Sequence, residues 1–140
     1  TDYTRNRLRL DLLPHLEQNY NPRVREALLR LSQAAGQADE CLELQAETLL
    51  HSAAKRTATG FELDLKRLAH HHPTLIRHAL TLLWREARWP QQDMSFEKWE
   101  HLVALIQQGN SASDHEQHDL PGFVRAARIG STLRLDQTTR

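Results

Sequence analysis

The chain has 140 residues, of which 39% are hydrophobic, 26% charged and 6% aromatic. These values fit one soluble globular domain, or two small ones, able to bury a core without covalent staples. The 18 basic and 18 acidic side chains cancel, which argues against a strongly basic nucleic-acid binder. The single cysteine, Cys41, excludes an internal disulfide framework and a cysteine-based zinc site, so a reducing cytoplasm is the expected compartment. No apolar run approaches the roughly 20 residues that span a bilayer, and no membrane role is expected.

The chain opens Thr1-Asp2-Tyr3 and runs straight into a helical pattern, which reads as a piece cut from something longer. Leu8, Leu12, Leu13 and Leu16 fall on one helical face, with Pro14 inside the pattern. Proline removes a backbone donor, so a kink or break is expected there. Asn21-Pro22 is the next punctuation, with Asn21 able to cap and Pro22 suited to a first helical position. A long helix follows. Val24, Leu28, Leu31, Ala35, Ala38, Leu42 and Leu49 recur at steps of four and three, with Gln45 filling one slot. This is a heptad seam whose small residues favour close packing within the chain over a free coiled coil. Gly36 lies in mid-helix, where its size would admit a neighbouring helix.

Phe61, Leu63 and Leu65 alternate with Glu62 and Asp64, so a few extended residues or an Asp64-capped short helix fit the next stretch. Pro73 starts a helix with Leu75, Ile76, Ala79, Leu80, Leu83 and Ala87 inward, and Pro90 stops it. Ser95 caps another, with Phe96, Trp99, Leu102, Val103 and Ile106 as its stripe and Gly109 as its end. Asn110 to Asp119 read as a polar surface loop. Phe123-Val124 and Leu133-Arg134-Leu135, flanking Arg128 to Ser131, predict a two-stranded hairpin. The expected fold is mainly α: a helical bundle with one long helix and a small C-terminal β-hairpin.

Little catalytic chemistry is visible. The five glycines are dispersed, and no Walker loop, GxSxG, HExxH or CxxC occurs. Cys41 beside the seam reads as a buried structural thiol. His70-His71-His72, and His115 with His118 among Asp114, Glu116 and Asp119, imply no fixed metal geometry, so no metal site is expected. Trp84 and Trp89 could stack a base, but packing at a helix end is the simpler role. Arg5 and Arg9, four apart beside Asn6, form a charged face suited to a phosphate or carboxylate. A solvated first turn accounts for the same residues.

The pattern Tyr3-x-Arg5-Asn6-x-Leu8-Arg9-x-x-Leu12-Leu13-Pro14-x-Leu16 resembles a segment of bacterial tRNA(Ile)-lysidine synthetases. Asn21-Pro22 to Ala27-Leu28 is similar to the family's next helix start, and Leu120-Pro121-Gly122 to its LPGG turn, with Phe123 where a second glycine often stands. The resemblance implies an ATP-dependent ligase that joins lysine to the wobble cytidine of isoleucine tRNA. The family's SGGxDS nucleotide loop is absent from this sequence. The implied identity is therefore the segment C-terminal to the catalytic domain, inactive by itself. On this reading residues 1–18 are the end helix of the catalytic domain and 19–140 the helical substrate-binding domain. Carried over, Arg5, Asn6 and Arg9 face the active-site side. Arg23, Arg25, Arg30, Arg77, Arg85 and Arg88 are candidates for gripping tRNA phosphates. No cofactor is expected on this segment; ATP and magnesium belong to the catalytic domain. The implied partners are isoleucine tRNA and the protein's own catalytic domain, and the seam also allows a homodimer. The competing expectation is a helical protein-interaction or dimerisation module without RNA contacts.

Overall fold

The computed structural model describes residues 2–108 and 117–138. The chain divides into two compact units, Thr1–Cys41 and Leu42–Arg140.

The first unit holds α1 (Asp2–Arg7), a π-helical turn (Leu8–Leu12), α2 (Leu13–Asn19) and the beginning of α3 (Val24–Ala53). The π turn is the answer to Pro14. That residue has no N–H for the Leu10 carbonyl, and its ring would crowd that carbonyl in an α-helix. Widening the turn, with the Leu13 N–H donating to the Leu8 carbonyl, keeps the helix going. The Asn21 side chain accepts from the Arg23 N–H (2.9 Å), closing the turn that precedes α3. No described side chain of residues 3–41 is buried. Tyr3, Leu8, Leu10, Leu12, Tyr20, Leu28, Leu29 and Leu31 are all exposed.

The heptad seam is thus not a packed seam in this unit. Val24, Leu28, Leu31, Ala35 and Ala38 escape burial, nothing lies within 4 Å of a Cβ built on Gly36, and Cys41 is exposed rather than buried. In the second unit the last turns of α3 bury Ala46, Leu49 and Ala53, of which only Leu49 belongs to the seam; Leu42 is half-buried and Gln45 exposed.

The second unit corrects the expected helical bundle with a small hairpin. It is a layer of helices on a five-stranded antiparallel sheet of order β1-β2-β5-β4-β3. Its strands are β1 (Ala54–Arg56), β2 (Gly60–Asp64), β3 (Gln117–Leu120), β4 (Val124–Ile129) and β5 (Thr132–Gln137). Its further helices are α4 (Leu65–Leu68), α5 (Pro73–Ala87) and α6 (Phe96–Gln107). The expected hairpin is present as β4–β5, closed by Gly130-Ser131 with Gly130 at φ +58°. The hairpin is the centre of a sheet rather than an appendage. β5 also pairs with β2 over five residues, and β4 with β3 over four.

Alternation decides which face of the sheet is dry. Phe61, Leu63, Leu133, Leu135, Val124 and Ala126 point inward and meet Ile76, Leu80, Leu83 and Trp84 of α5 and Leu102 and Ile106 of α6 in one core. Three caps hold the helix starts. Asp64 accepts from the Lys66 N–H (2.9 Å), His72 from Thr74 (3.2 Å) and Ser95 from Lys98 (3.4 Å). Asp64→Ala is expected to cost about 1 kcal/mol, read as a lower Tm with the fold retained; an unchanged Tm would show that the cap contributes nothing.

Candidate nucleic-acid interface

The nominated cations separate into two groups. Arg25 donates to Glu17 (2.6 Å), Arg77 to Glu100 and Arg85 to Glu43, so these three are neutralised by carboxylates. Arg77 also lies over the Phe96 ring, 5.0 Å from its centroid. Arg5, Arg9, Arg23, Arg30 and Arg88 are exposed and have no ion-pair partner among the described residues. Arg5 and Asn6 stand on α1, Arg9 in the π turn, Arg23 in the turn before α3 and Arg30 within the first turns of α3. All of these belong to the first unit. Arg77, Arg85 and Arg88 belong to the second.

Arg88 is held differently from the others. It caps the C-terminus of α5 in the left-handed conformation (φ +57°), and its N–H donates to the Arg85 carbonyl at 3.1 Å. Pro90 forces the helix to end there, and the adjacent Trp89 turns inward.

The outer face of the sheet is charged but balanced. Arg134 pairs with Asp136 (2.6 Å) and Arg125 with Asp119 (2.9 Å), while Glu62 stands directly opposite Arg134 and Lys55 opposite Glu62. Such a face presents little net positive field to a polyanion. At the sheet edge Arg56 shares the inner side with Phe61, 5.7 Å from the ring centroid. The two border an open groove of about 670 Å³, together with Leu50, His51, Leu82 and Arg85.

Trp84 and Trp89 are packed rather than presented to a base. Trp84 meets Trp89 edge-on at 4.9 Å and Trp99 at 5.1 Å, and Trp89 meets Phe61 at 5.9 Å. All four rings are buried. His118 is not in a loop but on β3, with its Nδ1 3.1 Å from His101 Nε2 on α6. No group of three metal-ligating side chains occurs among the described residues. Gly109, Asp114, His115 and Glu116 lie outside them.

No protein-family model matches the chain. Curated relatives do. A tRNA(Ile)-lysidine synthase of Thermosynechococcus vestitus is 30% identical over 134 residues, which is 96% of this chain and 37% of that protein. The bifunctional protein TilS/HprT of Listeria monocytogenes is 32% identical over 132 residues, 94% of this chain and 20% of its own length. A tRNA(Ile)-lysidine synthase of Caldanaerobacter subterraneus is 21% identical over 94% of this chain. The chain belongs to the tRNA(Ile)-lysidine synthase family. It spans only 20–37% of the length of these relatives, as a segment of the longer protein.

Within this synthase segment the Tyr3-to-Leu16 motif coincides with α1, the π turn and α2, so its proline marks a widened helix turn. Arg128, buried beneath the hairpin, escaped the sequence reading. Phe123, noted in the sequence where a second glycine often stands, occupies a backbone conformation suited to glycine (φ +60°). Nothing local distinguishes Arg128 from the other arginines.

Proposed function

We propose that this chain is the tRNA-positioning segment of a cytoplasmic tRNA(Ile)-lysidine synthase, C-terminal to the catalytic domain that joins lysine to the wobble cytidine with ATP. The observation that carries the reading is alignment of nearly the whole chain with synthases named for isoleucine tRNA. The unpaired arginines supply the chemistry: exposed guanidinium groups grip phosphates and set the orientation of an RNA without reading its bases. We assign this role first to Arg23, Arg30 and Arg88. Arg25, Arg77 and Arg85 are weaker candidates, because an RNA phosphate would have to compete with Glu17, Glu100 and Glu43.

Residues 1–18 are assigned to the end of the catalytic domain and 19–140 to the substrate-binding domain. The exposed leucines and tyrosines of the first unit support a covering partner, and the rest of the same polypeptide is the economical one. Arg5, Asn6 and Arg9 would then face the active-site side. We assign ATP and magnesium to the catalytic domain, because the SGGxDS nucleotide loop is absent from this sequence.

The test is an arginine series titrated with isoleucine tRNA over salt. Arg23→Ala, Arg30→Ala and Arg88→Ala are each expected to weaken binding and to lower the salt slope by about one. Arg77→Ala and Arg85→Ala are expected to change it less. A triple variant at 23, 30 and 88 that keeps the parent affinity and slope would defeat the assignment.

A further inference from the structure

The β3–β4 hairpin displays an aromatic ring at a cost in backbone energy. Leu120 pairs with Val124, leaving Pro121, Gly122 and Phe123 as a three-residue loop. Gly122 (φ +78°) and Phe123 (φ +60°) are both left-handed. The first position cannot be anything but glycine, since a Cβ there would lie 2.6 Å from the Pro90 ring. The second is glycine's ordinary place in such a loop, because an L side chain is disfavoured in that conformation. Phenylalanine stands there instead and is 62% exposed.

The loop is also pinned. Gln137 Nε2 donates to the Gly122 carbonyl (3.0 Å), and the Thr138 N–H (2.9 Å) and Oγ1 (3.3 Å) donate to the Phe123 carbonyl. Gly122 rests on Pro90, two residues beyond Arg88 in sequence. Arg88 and Phe123 are the two non-glycine residues with positive φ among those described, and both flank this contact. A strained, exposed ring on a fixed backbone is costly as structure and well suited to recognition.

We propose that Phe123 is a stacking platform for an unpaired nucleobase. The inference rests on the tRNA-positioning reading and adds a base contact to it. A planar base covers a phenyl face without regard to its identity, so this contact adds affinity and fixes the position of a nucleotide that the duplex leaves splayed.

Isoleucine tRNA binding by the whole chain and three substitutions at this position provides the test. Phe123→Ala is expected to weaken binding about five- to one-hundredfold, with the salt slope unchanged because no phosphate contact is lost. Phe123→Trp is expected to retain binding, and the added indole fluorescence to be quenched by the RNA. Phe123→Gly is expected to weaken binding like alanine while raising Tm by several degrees, as the strain is relieved. That opposition between stability and binding is a result a purely structural ring would not give. If the parent chain binds tRNA and the glycine variant binds equally well, the stacking role is wrong and the positioning reading survives. If the parent chain shows no tRNA binding at low salt, both fall.

Discussion

Replacing Gly60 by alanine is expected to unfold the sheet-bearing unit or to cost about 3 kcal/mol or more. A Cβ at this position would lie 1.9 Å from the Leu135 carbonyl oxygen and 2.9 Å from its carbon. Both atoms are backbone of β5, which is held between β2 and β4 and cannot retreat without breaking a ladder. A domain of this size is stable by only about 5–15 kcal/mol, so the loss is a large share of the total. Gly36→Ala is the matched control. Nothing lies within 4 Å of its added methyl group, and the helix gains about 1 kcal/mol of propensity. Urea denaturation of the two variants should therefore move in opposite directions. A Gly60→Ala midpoint equal to the parent's would mean that β2 and β5 do not approach as described.

Arg128→Met is expected to destabilise the fold by about 2–4 kcal/mol. Arg128 is 4% exposed on the inner side of β4. Its Nη1 donates to the Leu105 carbonyl (2.9 Å) and to the Gln108 carbonyl, and its Nε to the Gly130 carbonyl (3.3 Å). One guanidinium thereby satisfies carbonyls at the end of α6 and fastens the β4–β5 turn to that helix. Cations are favoured at helix C-termini, where the backbone dipoles leave partial negative charge. Methionine fills much of the volume but leaves those acceptors unpaired in a dry site. Arg128→Lys keeps the charge but offers a single ammonium to acceptors spread over two elements, so it should recover part of the loss and no more. A methionine variant as stable as the parent would show that these bonds contribute no net stability.

These two residues also show what local sequence could reveal. The helix ends were legible because their causes are local: Asp64, Pro73, Pro90 and Ser95 act on their own neighbours. The β4–β5 hairpin was legible for the same reason. The rest of the sheet was not. β1 is three residues continuing directly from a helix, too short to show a period. β3 is Gln117-His118-Asp119-Leu120, polar enough to read as loop. Their strand character comes from partners distant in sequence, as when Gly60 to Asp64 pairs with Thr132 to Asp136. Periodicity misled in α3, where the leucine and alanine spacing continues through residues whose side chains stay exposed in this chain. Function was legible chiefly through the Tyr3-to-Leu16 motif. Charge counting found the arginines but could not separate Arg30 and Arg88 from Arg77 and Arg85, because Glu100 and Glu43 reach the latter only through the fold.

The proposed role of this segment is to position isoleucine tRNA. Its most direct test is binding of the chain to an isoleucine tRNA transcript, titrated over salt, with an elongator methionine tRNA as the control. The expected result is affinity that falls steeply as salt rises, for the control as well as for isoleucine tRNA, because phosphate contacts carry no sequence information. Absence of binding to isoleucine tRNA at low salt, or binding that salt does not weaken, would contradict it.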